Sequence, residues 1–234
     1  MYKLLIGVAL AFLLAACEKE RTPAPDPVQK SFPLSGFTRI HAGETYHVTV
    51  KHGATFSVLA KGSSDDLRDL VATIEQGNIL SLRYNGFKPN RYRVDIEITL
   101  PLLIGLHLTD AAKGSVQGFG QQTSALKVVL AADARCTVNQ LPVLVDVFLS
   151  ANSELTLQGT SGDLLASLLA NAKLHAYEAT FDDADVYTMA RSTAKIKVLK
   201  SLTASASDNS RVYYQGAPAH VSVEELGLGK VIRE

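Results

Sequence analysis

The amino-acid sequence predicts an all-β protein, folded as a single-stranded β-helix or β-solenoid with coils of about 20 residues. The first observation behind this prediction is a repeat of small and polar turn segments in the second half of the chain. The second is the alternation of apolar and polar residues on both sides of each turn, which is typical of strands with one buried face. The third is the composition. Of all residues in the chain, 47% are hydrophobic, only 7% are aromatic and none is Trp, which suits a core of Leu, Val, Ile and Ala.

The apolar residue that follows each turn gives the period of the repeat. Consecutive positions are 22, 19, 19, 22, 16 and 19 residues apart. These positions are Gly114, Cys136, Leu155, Leu174, Ile196, Val212 and Val231. Small residues that suit a tight corner precede most of them, at Ala134, Ser153, Ala172, Ala194 and Ser210. One coil cannot bury its own apolar face, so we expect the coils to stack at about 4.8 Å each.

The beginning of the chain has the pattern of a lipoprotein. Residues 1–16 form a signal peptide in this interpretation, because Lys3 gives a positive start and the apolar run after it is too short to span a membrane. The segment Leu14-Ala15-Ala16-Cys17 has the layout of a lipoprotein cleavage site, which predicts that Cys17 is lipidated, with acyl chains such as palmitate on its thiol and freed amine. An ordinary signal peptide with an incidental cysteine is the alternative.

Residues 17–31 then form a charged and Pro-rich tether without periodicity. Glu18-Lys19-Glu20 resembles signals that export lipoproteins to the outer face of the outer membrane; a merely soluble tether is the other interpretation. The predicted location is therefore the cell envelope. The protein would have a lipid anchor in the outer membrane and a periplasmic or surface-exposed face.

Residues 32–234 are expected to form one solenoid domain, with irregular N-terminal coils and a cap at 32–105 and regular repeats at 106–234. Strands are predicted around Val48 and Ile96 from alternation bounded by glycines. One helix is expected after Ser64 as N-cap, because Leu67, Leu70 and Val71 have helical spacing.

The stretch LSANSELTLQG, residues 149–159, resembles the repeat of the head GIN adhesin domain, formerly a domain of unknown function, and the resemblance extends over residues 34–234. It implies a right-handed β-helix with an adhesive, non-catalytic role. This chain differs from the family in its turns, where the motif glycine is retained only at Gly227. It is replaced by Asp110, Ala132, Ala151, Ala170, Ser192 and Asp208. If the family's glycines have positive φ, each replacement costs about 1 kcal/mol or requires a differently built corner.

Motifs for chemistry are absent from the sequence. There is no nucleophile elbow, phosphate-binding loop, dinucleotide fingerprint or zinc spacing among the six histidines, so no cofactor and no metal are expected. The 23 basic and 23 acidic residues cancel, which disfavours nucleic-acid binding. If Cys17 is lipidated, Cys136 has no partner in the chain and is interpreted as a core residue.

Two groups of residues remain as candidate ligand sites. Tyr177, Tyr187, Tyr213 and Tyr214 fall on nearby coils and could form a platform for sugars, although Tyr is also an ordinary strand residue. Asp182, Asp183 and Asp185 are assigned to an inserted loop that could hold a calcium ion. The alternative is a solvated loop, because the glycine and distal Glu of a calcium loop are missing.

The sequence thus favours a membrane-anchored, adhesin-like protein that binds glycan or protein at the surface or in the envelope, with avidity from many copies. A periplasm-facing structural or scaffolding lipoprotein is the alternative, and an apolar face would then favour a homo-oligomer. A polysaccharide-active β-helix enzyme is a third interpretation. It is disfavoured because the outward positions are mainly Ser, Thr, Lys and Ala rather than paired carboxylates.

Overall fold

The alternating segments form parallel strands that stack coil upon coil in the computed structural model, which describes residues 21–234. The regular part contains about 7 turns spaced about 20 residues apart, which confirms the predicted β-solenoid. The strands are β1 (Val28–Ser31), β2 (Arg39–Ala42), β3 (His47–His52), β4 (Ser57–Gly62), β5 (Leu70–Glu75), β6 (Ile79–Tyr84), β7 (Asp95–Leu100), β8 (Gly105–Leu108), β9 (Lys113–Gln117), β10 (Leu126–Leu130), β11 (Arg135–Asn139), β12 (Leu144–Leu149), β13 (Glu154–Leu168), β14 (Lys173–Thr188), β15 (Thr193–Ala206), β16 (Arg211–Gln215), β17 (His220–Glu225) and β18 (Lys230–Arg233). The helix α1 spans Ser64–Asp69.

Each coil contributes one strand to each of two walls that meet at a tight corner. Wall A holds the strands before the corner, in the spatial order β6, β2, β8, β10, β12, the second halves of β13, β14 and β15, and β17. Wall B holds the strands after the corner, in the order β7, β3, β9, β11, the first halves of β13, β14 and β15, then β16 and β18. Because side chains alternate along a strand, every second residue of both walls points into a shared core.

The first coils stack in an order that differs from their order in the chain. The strand β2 lies between β6 and β8, and β3 lies between β7 and β9. The chain therefore builds an inner coil with β2 and β3, moves outward to form β6 and β7, and crosses back to continue with β8 and β9. This places residues 39–52 directly against residues 105–117.

The corners have the left-handed backbone that the family's glycines suggested, but without glycine in most coils. The corner residues with positive φ are Asp110 (55°), Ala132 (58°), Ala151 (60°), Ala170 (53°), Ala190 (54°), Asp208 (50°) and Gly227 (61°). A non-glycine residue in this region places its Cβ too close to the following carbonyl oxygen. Most corners of the solenoid therefore carry backbone strain.

The sequence-based alignment of one coil was wrong by two residues. Ala190 occupies the position assigned to Ser192, and Ser192 occupies the corner position assigned to Ala194. Ala194, rather than Ile196, pairs with Leu174 and Val212. The steps between positive-φ corners from Asp110 to Gly227 become 22, 19, 19, 20, 18 and 19 residues.

An irregular cap closes the end of the solenoid next to β6 and β7. The strands β4 and β5 pair antiparallel with β7 and β6, and β1 pairs antiparallel with β4. The N-cap of α1 is Ser63, one residue before the predicted Ser64, and its hydroxyl accepts a hydrogen bond from the Asp66 N–H. Asp66 is fully buried and accepts hydrogen bonds from Arg91 Nη1 at 3.1 Å and from the Tyr92 N–H at 3.0 Å.

The opposite end, formed by β17 and β18, has no antiparallel cover among residues 21–234. Val221 and Val223 pair with the buried Leu202 and Ala204, yet their side chains are 45% and 47% exposed. The core of the solenoid therefore opens to solvent at this end.

The core is continuous through the coils and contains Cys136, which is buried as predicted. Burial raises the pKa of its thiol to about 12. Within residues 21–234, no helix has the length and hydropathy of a membrane span.

Candidate functional site

The four candidate tyrosines do not form one platform, because they lie on different surfaces. Tyr214 pairs with Ile196 and packs against the core. Tyr187 lies on the outer face of wall A, is 39% exposed, and donates a hydrogen bond to Met189. Tyr177 and Tyr213 both lie on the outer face of wall B.

Tyr177 and Tyr213 are brought together by Lys195, and we call these three residues the tyrosine ladder. Lys195 pairs with Tyr213 in the register of β15 and β16. Its ammonium nitrogen lies 5.8 Å from the ring centroid of each tyrosine, within the range of a cation–π interaction. The ladder therefore presents two half-buried aromatic rings with a cation between them.

The Tyr177 hydroxyl donates a 2.6 Å hydrogen bond to Glu234 Oε2, near the last coil. Burial raises the pKa of Tyr177, and the hydrogen bond and negative charge of Glu234 raise it further. The Tyr177 side chain is therefore fixed in the ladder by this hydrogen bond, and its hydroxyl stays protonated. Such a surface can stack against an apolar face of a ligand and offer a cationic donor to its polar groups.

Wall A carries a second candidate site that the sequence did not reveal. His41 on β2 pairs in register with His107 on β8, and the two imidazole rings stack with centroids 4.3 Å apart and planes inclined by 12°. Burial lowers the pKa of His107, and the neighbouring His41 lowers it further. The similar tetrapeptides RIHA (39–42) and GLHL (105–108) could have signalled this pairing.

The stacked imidazoles line an open groove of about 430 Å³ on the outer face of wall A. We call it the imidazole groove, and its side chains come from neighbouring coils. The lining residues are Arg39, Ile40, His41, Ile79, Ile104, Gly105, Leu106, His107, Ala125, Lys127 and Val129. No carboxylate belongs to this set. The groove is therefore apolar in its body and basic at its margin.

The acidic residues of β14 lie further along wall A. The prediction of an inserted loop at Asp182, Asp183 and Asp185 was wrong, because all three belong to β14. Asp182 forms a 2.9 Å ion pair with Lys200. Asp183 and Asp185 line a shallow hollow on the wall, together with Leu165 and Thr203. Among residues 21–234, no three His, Cys, Asp or Glu side chains are arranged to hold a metal ion.

Residues 36–218 match the sequence model of the family described as "Putative auto-transporter adhesin, head GIN domain". This match covers most of the chain. The chain belongs to the head GIN family. Membership of this adhesin-like family indicates a protein of the cell surface or envelope. No curated protein matches this head GIN chain.

Solved structures show the same fold at low identity. A "putative adhesin" from Bacteroides fragilis NCTC 9343 is 14% identical, with a TM-score of 0.79, and the match covers 91% of this head GIN chain and 99% of that one. A "putative lipid binding protein" from Parabacteroides distasonis ATCC 8503 is 12% identical, with a TM-score of 0.70 and coverages of 91% and 98%. A "putative adhesin" from the same organism is 11% identical, with a TM-score of 0.65 and coverages of 89% and 97%.

Proposed function

We propose that this head GIN protein is a non-catalytic, lipid-anchored binding protein of the outer membrane that attaches to glycan or protein at the cell surface. The family match supports the adhesive part of this proposal. Cys17 would carry the lipid, and the segment before β1 would link it to the solenoid. The predicted tether of residues 17–31 is shorter in the structure, because Val28–Ser31 forms β1 and pairs with β4 in the cap. Cys17 to Glu20 lie outside the described residues, so the anchor rests on the sequence pattern alone.

The tyrosine ladder is the surface to which we assign ligand contact, and its geometry is the observation that carries the proposal. Tyr177 and Tyr213 lie on a wall of parallel strands, where a ligand can contact several coils at once. Tyr has few rotatable bonds, so ordering it on binding costs little entropy. Many copies on one membrane would convert a weak contact into firm attachment.

The test is binding of the anchored protein, displayed on vesicles, to arrays of glycans and extracellular-matrix proteins. Tyr213→Ala should weaken the binding found for the unaltered protein about five-fold, since an aromatic contact contributes about 1 kcal/mol. Tyr187→Ala is the matched control, because it removes an exposed tyrosine from wall A instead of wall B. Absence of any ligand, or equal loss with both variants, would refute the role of the ladder.

The periplasm-facing scaffold is a second candidate, supported by the open end of the solenoid. Val221 and Val223 are exposed there beside Leu226 (50%) and Leu228 (69%). No strand within residues 21–234 pairs with the outer edges of β17 and β18. A second copy turned by a two-fold axis could extend both ladders and bury these side chains. This proposal predicts a dimer in solution that Val221→Lys and Val223→Lys convert to a monomer, as measured by light scattering. A monomer at all concentrations would exclude this homo-oligomer.

A further inference from the structure

The imidazole groove has a basic margin without a balancing carboxylate in its lining. Arg39 and Lys127 belong to strands on either side of β8, and Gly105 lies in register with both of them. Since Gly105 has no side chain, the stem of Arg39 can lie across it, and we call the space between the Arg39 and Lys127 side chains at this position the notch. A Cβ at this position would lie 3.1 Å from Arg39 Cγ, so the backbone approaches this side chain closely.

Both cations keep unused hydrogen-bond donors. Arg39 uses Nη1 to donate to the Gly77 carbonyl at 2.7 Å, which leaves the rest of the guanidinium fork. Lys127 donates to Asp146 Oδ2 at 2.9 Å, and Asp146 does not line the groove. This hydrogen bond uses one of the three N–H donors of the Lys127 ammonium group and leaves the other two.

The imidazoles add polar groups that the protein itself leaves open. Among residues 21–234, no hydrogen bond joins a ring nitrogen of His41 or His107 to another residue, and the rings contact each other by stacking. Both side chains are only partly buried, so these nitrogens remain available to a ligand. Half-buried Ile79, Ile104 and Val129 supply an apolar surface beside them.

We propose that the imidazole groove is a binding site for a small anionic amphiphile, with its carboxylate in the notch between Arg39 and Lys127 and its hydrocarbon body along Ile79, Ile104 and Val129. The charge of the lining decides the sign of the headgroup, because the lining contains two cations and no carboxylate, and Arg39, unlike Lys127, forms no ion pair within residues 21–234. The same charges disfavour a divalent cation on the two imidazoles. The volume of about 430 Å³ lies within the range of small-molecule pockets. This site is independent of the tyrosine ladder, which lies on the other wall.

The experiment is a titration of the whole protein with octanoate, followed by the imidazole NMR signals of His41 and His107. Acetate tests the headgroup without the chain, and octylammonium tests the chain with the opposite charge. The double variant Arg39→Gln/Lys127→Gln removes the charge of the notch. Lys197→Gln is the matched control, since it removes a lysine charge from the outer face of wall B.

We expect octanoate to shift both imidazole signals saturably, acetate to bind at least ten-fold more weakly, and octylammonium to leave the signals in place. The double variant should weaken octanoate about ten-fold or more, because hydrogen bonds to charged groups are the stronger kind. Lys197→Gln should bind octanoate like the unaltered protein. The proposal is overturned if octanoate gives no saturable shift, if octylammonium binds equally well, or if the double variant keeps full affinity while remaining folded.

Discussion

The imidazole rings of His41 and His107 stack at 4.3 Å because β2 lies directly beside β8. This contact joins the inner coil to the first regular coil and depends on the crossover between them. In the folded protein, burial and the neighbouring His41 lower the pKa of His107 below its ordinary 6.5, so protonation favours the unfolded chain. The contribution of neutral His107 to the free energy of unfolding is therefore fully present above pH 6.5, and it is lost as the pH falls toward the folded-state pKa.

The variant His107→Gln should consequently show a smaller loss of Tm between pH 7.5 and pH 5.5 than the unaltered protein. Thermal unfolding of both proteins at the two pH values measures this difference. His175→Gln serves as the control, because it removes an exposed imidazole on wall B that is not part of the stack. If His107→Gln keeps the pH dependence of the unaltered protein, protonation of the stacked histidines is not coupled to the stability of the fold.

The strained corners predict that glycine stabilises this solenoid. Ala132→Gly should raise the free energy of unfolding by about 0.5–1 kcal/mol, because Ala132 has φ of 58° and glycine adopts this region freely. Ala134→Gly in the same corner should instead lower it by a similar amount, since Ala134 is buried and is not among the positive-φ residues. Chemical denaturation measures both changes. The explanation fails if the two substitutions act in the same direction.

The buried carboxylate of the cap predicts a large loss of stability when its charge is removed. Burial alone would raise the pKa of Asp66, but hydrogen bonds from Ser63, Tyr92 and Arg91 outweigh burial and lower it below 3.8. Its contribution is therefore present above pH 3.8 and is lost as the pH falls through the lower folded-state pKa. Asp66→Ala should cost about 3 kcal/mol, because the Tyr92 N–H loses its acceptor and the buried Arg91 loses one of its carboxylate partners while keeping Asp69.

The neighbouring residue Asp65 provides the control for this cap variant. Asp65 is exposed and forms an i,i+3 ion pair with Arg68, so Asp65→Ala should cost less than about 0.5 kcal/mol. Urea denaturation of the two variants compares the two costs. Equal, small losses would mean that the Asp66–Arg91 contact does not support the cap.

The buried thiol of Cys136 predicts resistance to alkylation. In the Cys17→Ala protein, where Cys136 supplies the only thiol, iodoacetamide at pH 8 should leave the folded protein unmodified and label it fully in denaturant. The reason is twofold: the side chain is buried in the core, and burial raises the pKa of its thiol to about 12. Mass spectrometry reads the modification. Rapid labelling of the folded protein would contradict the closed core at this coil.

The stacking of coils could be predicted from the sequence because inward columns of apolar residues have period two in every coil. The same periodicity explains the one misaligned coil. A slip of two residues keeps the same face inward, so Ala194 and Ile196 satisfy the pattern equally well. Only the register of β14 with β15 distinguishes them.

The sites were harder to predict, because alternation does not specify which parallel strands are neighbours. The tyrosine spacing assigned these residues to nearby coils, but it could not separate Tyr187 on wall A from Tyr177 and Tyr213 on wall B. The imidazole groove depends on the crossover of β2 next to β8. The alternation within either strand does not encode that long-range pairing, and the short similarity of residues 39–42 to residues 105–108 is a weak signal of it.

The most direct test of the proposed function is the accessibility of the protein to protease and antibody on intact cells, compared with Cys17→Ala. A lipid-anchored surface adhesin requires that the unaltered protein be cleaved and labelled on intact cells and that the variant be lost from the membrane. Protection of the unaltered protein until the outer membrane is broken would contradict attachment to external ligands and would favour the periplasm-facing scaffold.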